Sequence, residues 1–160
     1  MKRVALAASM VFGQLFGTSA FAAGDHGSEA EAQDMVKRAV ALIHKLGPED
    51  AYKTFRDNPG TAFNDKDLFP FVYDYNGNGL VQPKNKRMEG KNMIALKDVD
   101  GVPFVKNMID IVKLKKKGWT STYRFPNPVT KELATNKTYC EDAGGDTLVC
   151  VGVYVNDGAK

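Results

Sequence analysis

Phe71-Val72-Tyr73-Asp74-Tyr75-Asn76-Gly77-Asn78-Gly79 is the stretch whose reading decides the fold. From Leu68 the apolar residues fall on a period of two. Phe69, Phe71, Tyr73 and Tyr75 alternate with Pro70, Val72 and Asp74, the pattern of a strand with two distinct faces. Asn76-Gly77-Asn78-Gly79 reads as a tight turn, because Asn and Gly tolerate positive φ, and Leu80-Val81-Gln82 begins a returning strand. From Asp74 the same residues fit the opening Asp-x-Asn-x-Asn-Gly of a calcium loop. The position where that loop needs a bidentate Glu is Asn85, and strand patterns rather than helices flank it. The hairpin reading is therefore preferred, and no metal is expected.

Toward the C-terminus, residues 83–92 read as an irregular loop. Asp98-Val99-Asp100-Gly101 is a turn and cap before a helix over 102–117, which carries Phe104, Val105, Met108, Ile109 and Val112 on one side and is closed by Gly118. Residues 119–125, 134–140 and 147–155 form three further strands, most simply a meander. Toward the N-terminus, Ser28 is an N-cap with Glu29 and Glu31 in the first turn. Ala32, Met35, Val36, Ala39, Val40, Leu42, Ile43 and Leu46 then recur at helical spacing. Gly47 stops that helix, Pro48 starts a shorter one through Ala51, Tyr52 and Phe55, and Asn58-Pro59-Gly60 ends it. The expectation is a single α+β domain over 23–160: helices within 28–57, then a sheet region over 68–157 with five antiparallel strands.

The first residues bear on location. Lys2 and Arg3 precede an apolar run from Val4 to Phe16, and Ala20-Phe21-Ala22 supplies a signal-peptidase pattern, so residues 1–22 read as a signal peptide cut after Ala22. The run is shorter than the ~20 residues a bilayer span needs. A periplasmic or secreted protein is expected. Cleavage leaves 138 of the 160 residues and removes two cations, so the formal charge falls from +3 to +1. A nearly neutral chain is no nucleic-acid binder, and Lys113 with Lys115, Lys116 and Lys117 reads as a solvated helix end opposing the helix dipole. Cys140 and Cys150 flank Gly144-Gly145-Asp146, the connection of a hairpin, and are expected to form a structural disulfide.

Catalytic readings fail on inventory, and no enzyme activity is expected. His26 and His44 lack a second zinc ligand at motif spacing, and neither Ser28 nor Ser121 lies in Gly-x-Ser-x-Gly. No phosphate loop or dinucleotide fingerprint is present, so no cofactor is expected. Asp98 and Asp100 are better explained as turn and cap than as an acid–base pair.

The ordered set of the hairpin, Asp98-Val99-Asp100-Gly101, Gly118-Trp119, Tyr123-Arg124-Phe125-Pro126, Lys137-Thr138-Tyr139 and Val151-Gly152-Val153-Tyr154-Val155-Asn156-Asp157 resembles the single Cache domain family, of the sCache_2 type. The resemblance implies a PAS-like α+β fold, with a long N-terminal helix packed along the sheet. It implies a small ligand held between the sheet and a crossing segment, here residues 82–108. It implies recognition of short organic acids such as acetate, propionate, lactate or pyruvate. Tyr73, Gln82, Tyr123, Phe125 and Lys137 are the ligand-binding candidates on this basis. Tyr154 is assigned to the core. Lys137 has two readings, as partner of a ligand carboxylate or of a structural one. Gln82 departs from the histidine usual before the proline: it still offers a donor but carries no titratable proton. The implied partner is a membrane-bound sensor kinase or chemoreceptor, with a homodimer through the N-terminal helix possible in the family. The competing reading is an exported protein-interaction module or envelope-enzyme inhibitor without a small ligand, using the loop Pro83-Lys84-Asn85-Lys86-Arg87.

Overall fold

The structure is a computed structural model that describes residues 26–57, 60 and 62–155. The expected signal peptide and the Asn156-Asp157 pair lie outside the described residues. Helix α1 (Glu29–Leu46) starts at Ser28, whose side chain and the Glu31 carboxylate cap each other's backbone N–H groups. It ends at Gly47, where a φ of 83° suits glycine. α2 (Pro48–Asp57) follows at once and buries Ala51 and Phe55. Strands β1 (Phe71–Asp74) and β2 (Gly79–Val81) form the expected hairpin. A single 3₁₀ turn (Lys86–Met88) and α3 (Phe104–Lys115) precede β3 (Lys117–Trp119), β4 (Tyr123–Pro126), β5 (Leu133–Gly144) and β6 (Thr147–Tyr154).

The sheet has six strands, all pairings antiparallel, in the order β2-β1-β6-β5-β3, with β4 also on β5. One expected strand over 119–125 is thus two. Both lie along one edge of the 12-residue β5, and Thr120 bridges them: its N–H donates to Thr138 O (2.9 Å) and its Oγ1 accepts from the Thr138 N–H (3.0 Å). Exposed Ser121 and Thr122 leave the ladder between them. The meander holds for β4, β5 and β6, but β1 docks on the outer side of β6, which makes β6 central. Gly118 does not close α3. Lys116 does, at φ 67°, while Gly118 sits in β3, where a Cβ would approach Ile111 Cγ2 to 2.9 Å.

Period two sorts the sheet onto two cores. Val72, Tyr139, Val149, Val151 and Val153 face α1 and α2, whereas Phe71, Tyr73, Cys140, Leu148 and Cys150 face α3. The buried stripe of α1 (Met35, Val36, Ala39, Val40, Ile43) is filled by the chain's own sheet. The face that the sequence leaves open to a second copy is therefore occupied within one chain. Cys140 and Cys150 are direct cross-strand partners with sulfurs 1.99 Å apart. Asp74 accepts from the N–H groups of Asn76 (2.9 Å) and Asn78 (2.8 Å), so the calcium-loop residues are spent on the turn. Among the described residues no group of three or more His, Cys, Asp or Glu could hold a metal.

His26 and Gly27 are tied down ahead of α1: His26 Nδ1 and the Gly27 N each lie 2.7 Å from the buried Asp67 carboxylate. Glu31 is held further by Lys66, at 2.7 Å. The Lys66 and Ser28 hydrogen bonds pull its carboxyl down from 4.5 to about 2. The unfolded chain lacks these partners. The stabilisation is therefore complete above pH 4.5 and is lost as the pH falls through about 2. Glu31→Gln should cost about 0.5–1 kcal/mol near neutrality, a modest figure because the group is exposed. The difference between the two melting temperatures should close in strong acid, which a thermal melt at several pH values reads directly.

Candidate ligand-binding site

A cavity of about 240 Å³ lies on the α3 side of the sheet. Its floor is built by alternate residues of four strands: Tyr73 of β1, Gly152 and Tyr154 of β6, Asn136 of β5, Tyr123 and Phe125 of β4. Gly152 makes the room, since a Cβ there would stand 3.0 Å from both amide atoms of Asn136. The roof is Gln82, Lys84, Asn85 and Met88 with Phe104 and Met108 of α3. Residues 126–128 and Lys131 form one wall. Below the usual ~300 Å³ of drug-sized pockets, the space suits a molecule of a few heavy atoms.

Each wall has a local cause. Asp98 Oδ2 accepts the Arg124 N–H (2.7 Å) and Oδ1 accepts the Val102 N–H (2.7 Å), fastening the start of α3 to β4. These backbone donors, Arg124 first, hold its carboxyl below the usual range. Phe104 then stacks on Tyr123 at 5.0 Å between centroids, with Phe125 edge-on at 5.7 Å. Glu89 Oε1 accepts the Gln82 N–H (2.8 Å) and is paired with Arg56, whose Nη2 donates to Leu80 O (2.7 Å). Asn127 Oδ1 accepts from Val129 N (2.7 Å) and Thr130 N (3.1 Å), shaping the turn between β4 and β5.

Apart from Lys84 and Lys131, the polar lining is neutral. Thr138 Oγ1 donates to Asn136 Oδ1 (3.2 Å), so the Tyr123 hydroxyl, 2.6 Å away, donates to Thr138 and the Asn136 Nδ2 donors are left for the cavity side. Tyr154 donates to Pro126 O (2.9 Å). Burial pushes the Tyr73 phenol up to about 12 and Tyr123 and Tyr154 upward as well. Gln82, only 6% exposed, carries a buried Nε2 with no hydrogen-bond partner. Its influence on Tyr73 is a minor one that opposes burial, without a hydrogen bond of ordinary geometry between them. A buried donor left unpaired costs roughly 1–3 kcal/mol, which a bound acceptor would recover.

Four of the five ligand candidates, Tyr73, Gln82, Tyr123 and Phe125, line this cavity. Lys137 does not. Asn136 and Thr138 turn toward α3, so Lys137 points to the other face, where its Nζ pairs with Glu29 (2.5 Å) over the Trp119 ring (5.0 Å). Its partner is the structural carboxylate, not one in the cavity. Tyr154, assigned to the core, is lining. Phe104 and Met108 fall within the expected crossing segment 82–108, whereas Asn136 and Gly152 went unnoticed as lining residues; the signal for Asn136 was a polar residue on the same strand face as Cys140. The Pro83–Arg87 loop supplies roof through Lys84 and Asn85, while residues 84–87 remain exposed.

The sequence profile of the family described as Single Cache domain 2 matches residues 9–160. This chain belongs to that family. Among solved structures, this Cache domain superposes on a methyl-accepting chemotaxis protein from Vibrio parahaemolyticus RIMD 2210633 with a TM-score of 0.70 at 22% identity, covering 80% of this chain and 88% of that one. A Cache chemosensory domain solved for carboxylic acid recognition matches with a TM-score of 0.61 at 21% identity over 78% of this chain and 86% of that one. The sensor histidine kinase MctS of Rhizobium johnstonii (strain DSM 114642 / LMG 32736 / 3841) is 31% identical over 93 residues, 58% of this chain. The match spans only 20% of that kinase. No helix among the described residues is long and apolar enough to cross a membrane.

Proposed function

We propose that the chain is an exported sensor domain that binds a short organic acid in the cavity beneath α3. It would pass its bound state to a separate membrane-bound kinase or chemoreceptor, and it performs no catalysis of its own. The observation that carries this reading is the buried, unpartnered Gln82 Nε2 beside a small cavity lined largely by aromatic rings and neutral amides. Membership of a family whose relatives include a chemotaxis protein and a sensor kinase supports the signalling role. The likeness to a domain that recognises carboxylic acid supports the ligand class.

A thermal-shift panel of short organic acids tests it. A true ligand at a hundredfold excess over its dissociation constant adds about 2.7 kcal/mol of stability. Gln82→Leu should weaken that ligand about tenfold, the worth of one ordinary hydrogen bond. Lys137→Met should leave the affinity unchanged and cost under about 1 kcal/mol of stability, because it breaks only a partly exposed pair. Loss of binding in Lys137→Met, with Gln82→Leu unaffected, would place the ligand elsewhere.

A further inference from the structure

We infer that the cavity takes its acid ligand with the proton on, as the neutral carboxylic acid rather than the carboxylate. This rests on the organic-acid reading above and adds the charge state of the bound species. The first argument is complementarity. The Gln82 carboxamide presents one donor nitrogen and one acceptor oxygen, and a carboxylic acid presents the matching acceptor and donor. A carboxylate presents two acceptors, one of which would face the amide oxygen.

The second argument is the charge inventory around the cavity. The deep lining holds amides and phenols, and α3 contributes only Phe104 and Met108. The two lysines of the lining are rim groups. Lys84 Nζ donates to Asn64 Oδ1 (2.5 Å) beside the Phe69 ring, and the exposed Lys131 Nζ donates to Pro128 O (2.5 Å). Arg124 lies between two cavity-facing residues, so its guanidinium is on the reverse, donating to Thr135 Oγ1 (3.1 Å). Beside Gln82, Glu89 is neutralised by Arg56. The buried Asp67, held by His26 and Gly27, adds to burial in pushing the Tyr154 hydroxyl upward. An anion would be buried against neutral amides and phenols, with both lining lysines held at the rim by other acceptors, a cost that protonation removes.

At neutral pH the free acid is ionised, so each binding event takes one proton from solvent. The domain thereby reports the undissociated acid, a joint reading of acid concentration and acidity. Isothermal titration calorimetry decides it, using acetic, propionic and butyric acids and their primary amides. For the best acid, the expected apparent affinity falls about a hundredfold between about pH 5 and about pH 7, tenfold per unit. Titrations in buffers of different ionisation enthalpy should show uptake of one proton, while the amide's affinity stays flat over the same range. Equal acid affinity at both pH values without proton uptake overturns the inference and leaves the organic-acid reading standing, with Lys84 or Lys131 turned inward. No heat from any of these compounds at either pH overturns both.

Discussion

Replacing Phe104 with alanine is expected to cost about 3–5 kcal/mol of unfolding free energy, the range for deleting a well-packed buried ring. Phe104 is buried in the first turn of α3, stacked on Tyr123 and met edge-on by Phe125. Its ring is at once part of the α3-side core and the ceiling of the cavity. Truncation joins the cavity to the void left by the ring, and the walls cannot collapse because β4 and α3 are pinned through Asp98. Urea unfolding should show a lower midpoint with little change in slope. Ligand affinity should fall by more than tenfold, since the ceiling no longer excludes water. A loss below about 1 kcal/mol would mean that α3 settles onto the sheet and that the cavity walls are less fixed than drawn here.

The second large effect concerns Cys140 and Cys150. Both are fully buried and sit opposite each other on β5 and β6, ten residues apart in the chain. Closing a loop of that length restricts the unfolded chain by about 2–3 kcal/mol in the chain-entropy account. The double variant Cys140→Ala/Cys150→Ala should be less stable by about that amount in non-reducing urea titrations, and reductant should lower the wild type alone. Equal stabilities would show that the Gly144–Asp146 turn and the ladder already restrict the chain as much as the bridge does.

Much of the fold was legible before any coordinates. The α1 stripe, the Ser28 cap, the Asn-Gly hairpin and the two-residue period of β1 are local patterns, and local patterns survive folding. What failed was non-local. The switch at Ser121 and Thr122 from one strand to two depends on β5 being long enough to pair with both. The role of Gly118 depends on how closely α3 passes over β3. The misplacement of Lys137 has the same origin. Alternation says that Lys137 and Tyr139 share a face, but only the register of β5 on β6, which sets Thr138 opposite Gly152, says which face the cavity occupies. Gly152 itself carries no chemical signal as a letter. Its meaning is the space it leaves, which exists only once Asn136 and Tyr154 stand beside it.

The central place of β6 also dictates when the molecule can assemble. β1 pairs along its whole length with residues 147–150, far later in the chain, so the hairpin at Gly77 joins the rest of the sheet only once the last strand has been synthesised. Such long-range pairing slows folding, because a large loop must close before any contact rewards it. The six-stranded sheet therefore closes only when the last strand is present. A stop codon before Thr147 would leave β1–β2 and β3–β5–β4 as two separate pieces of sheet with no strand to join them.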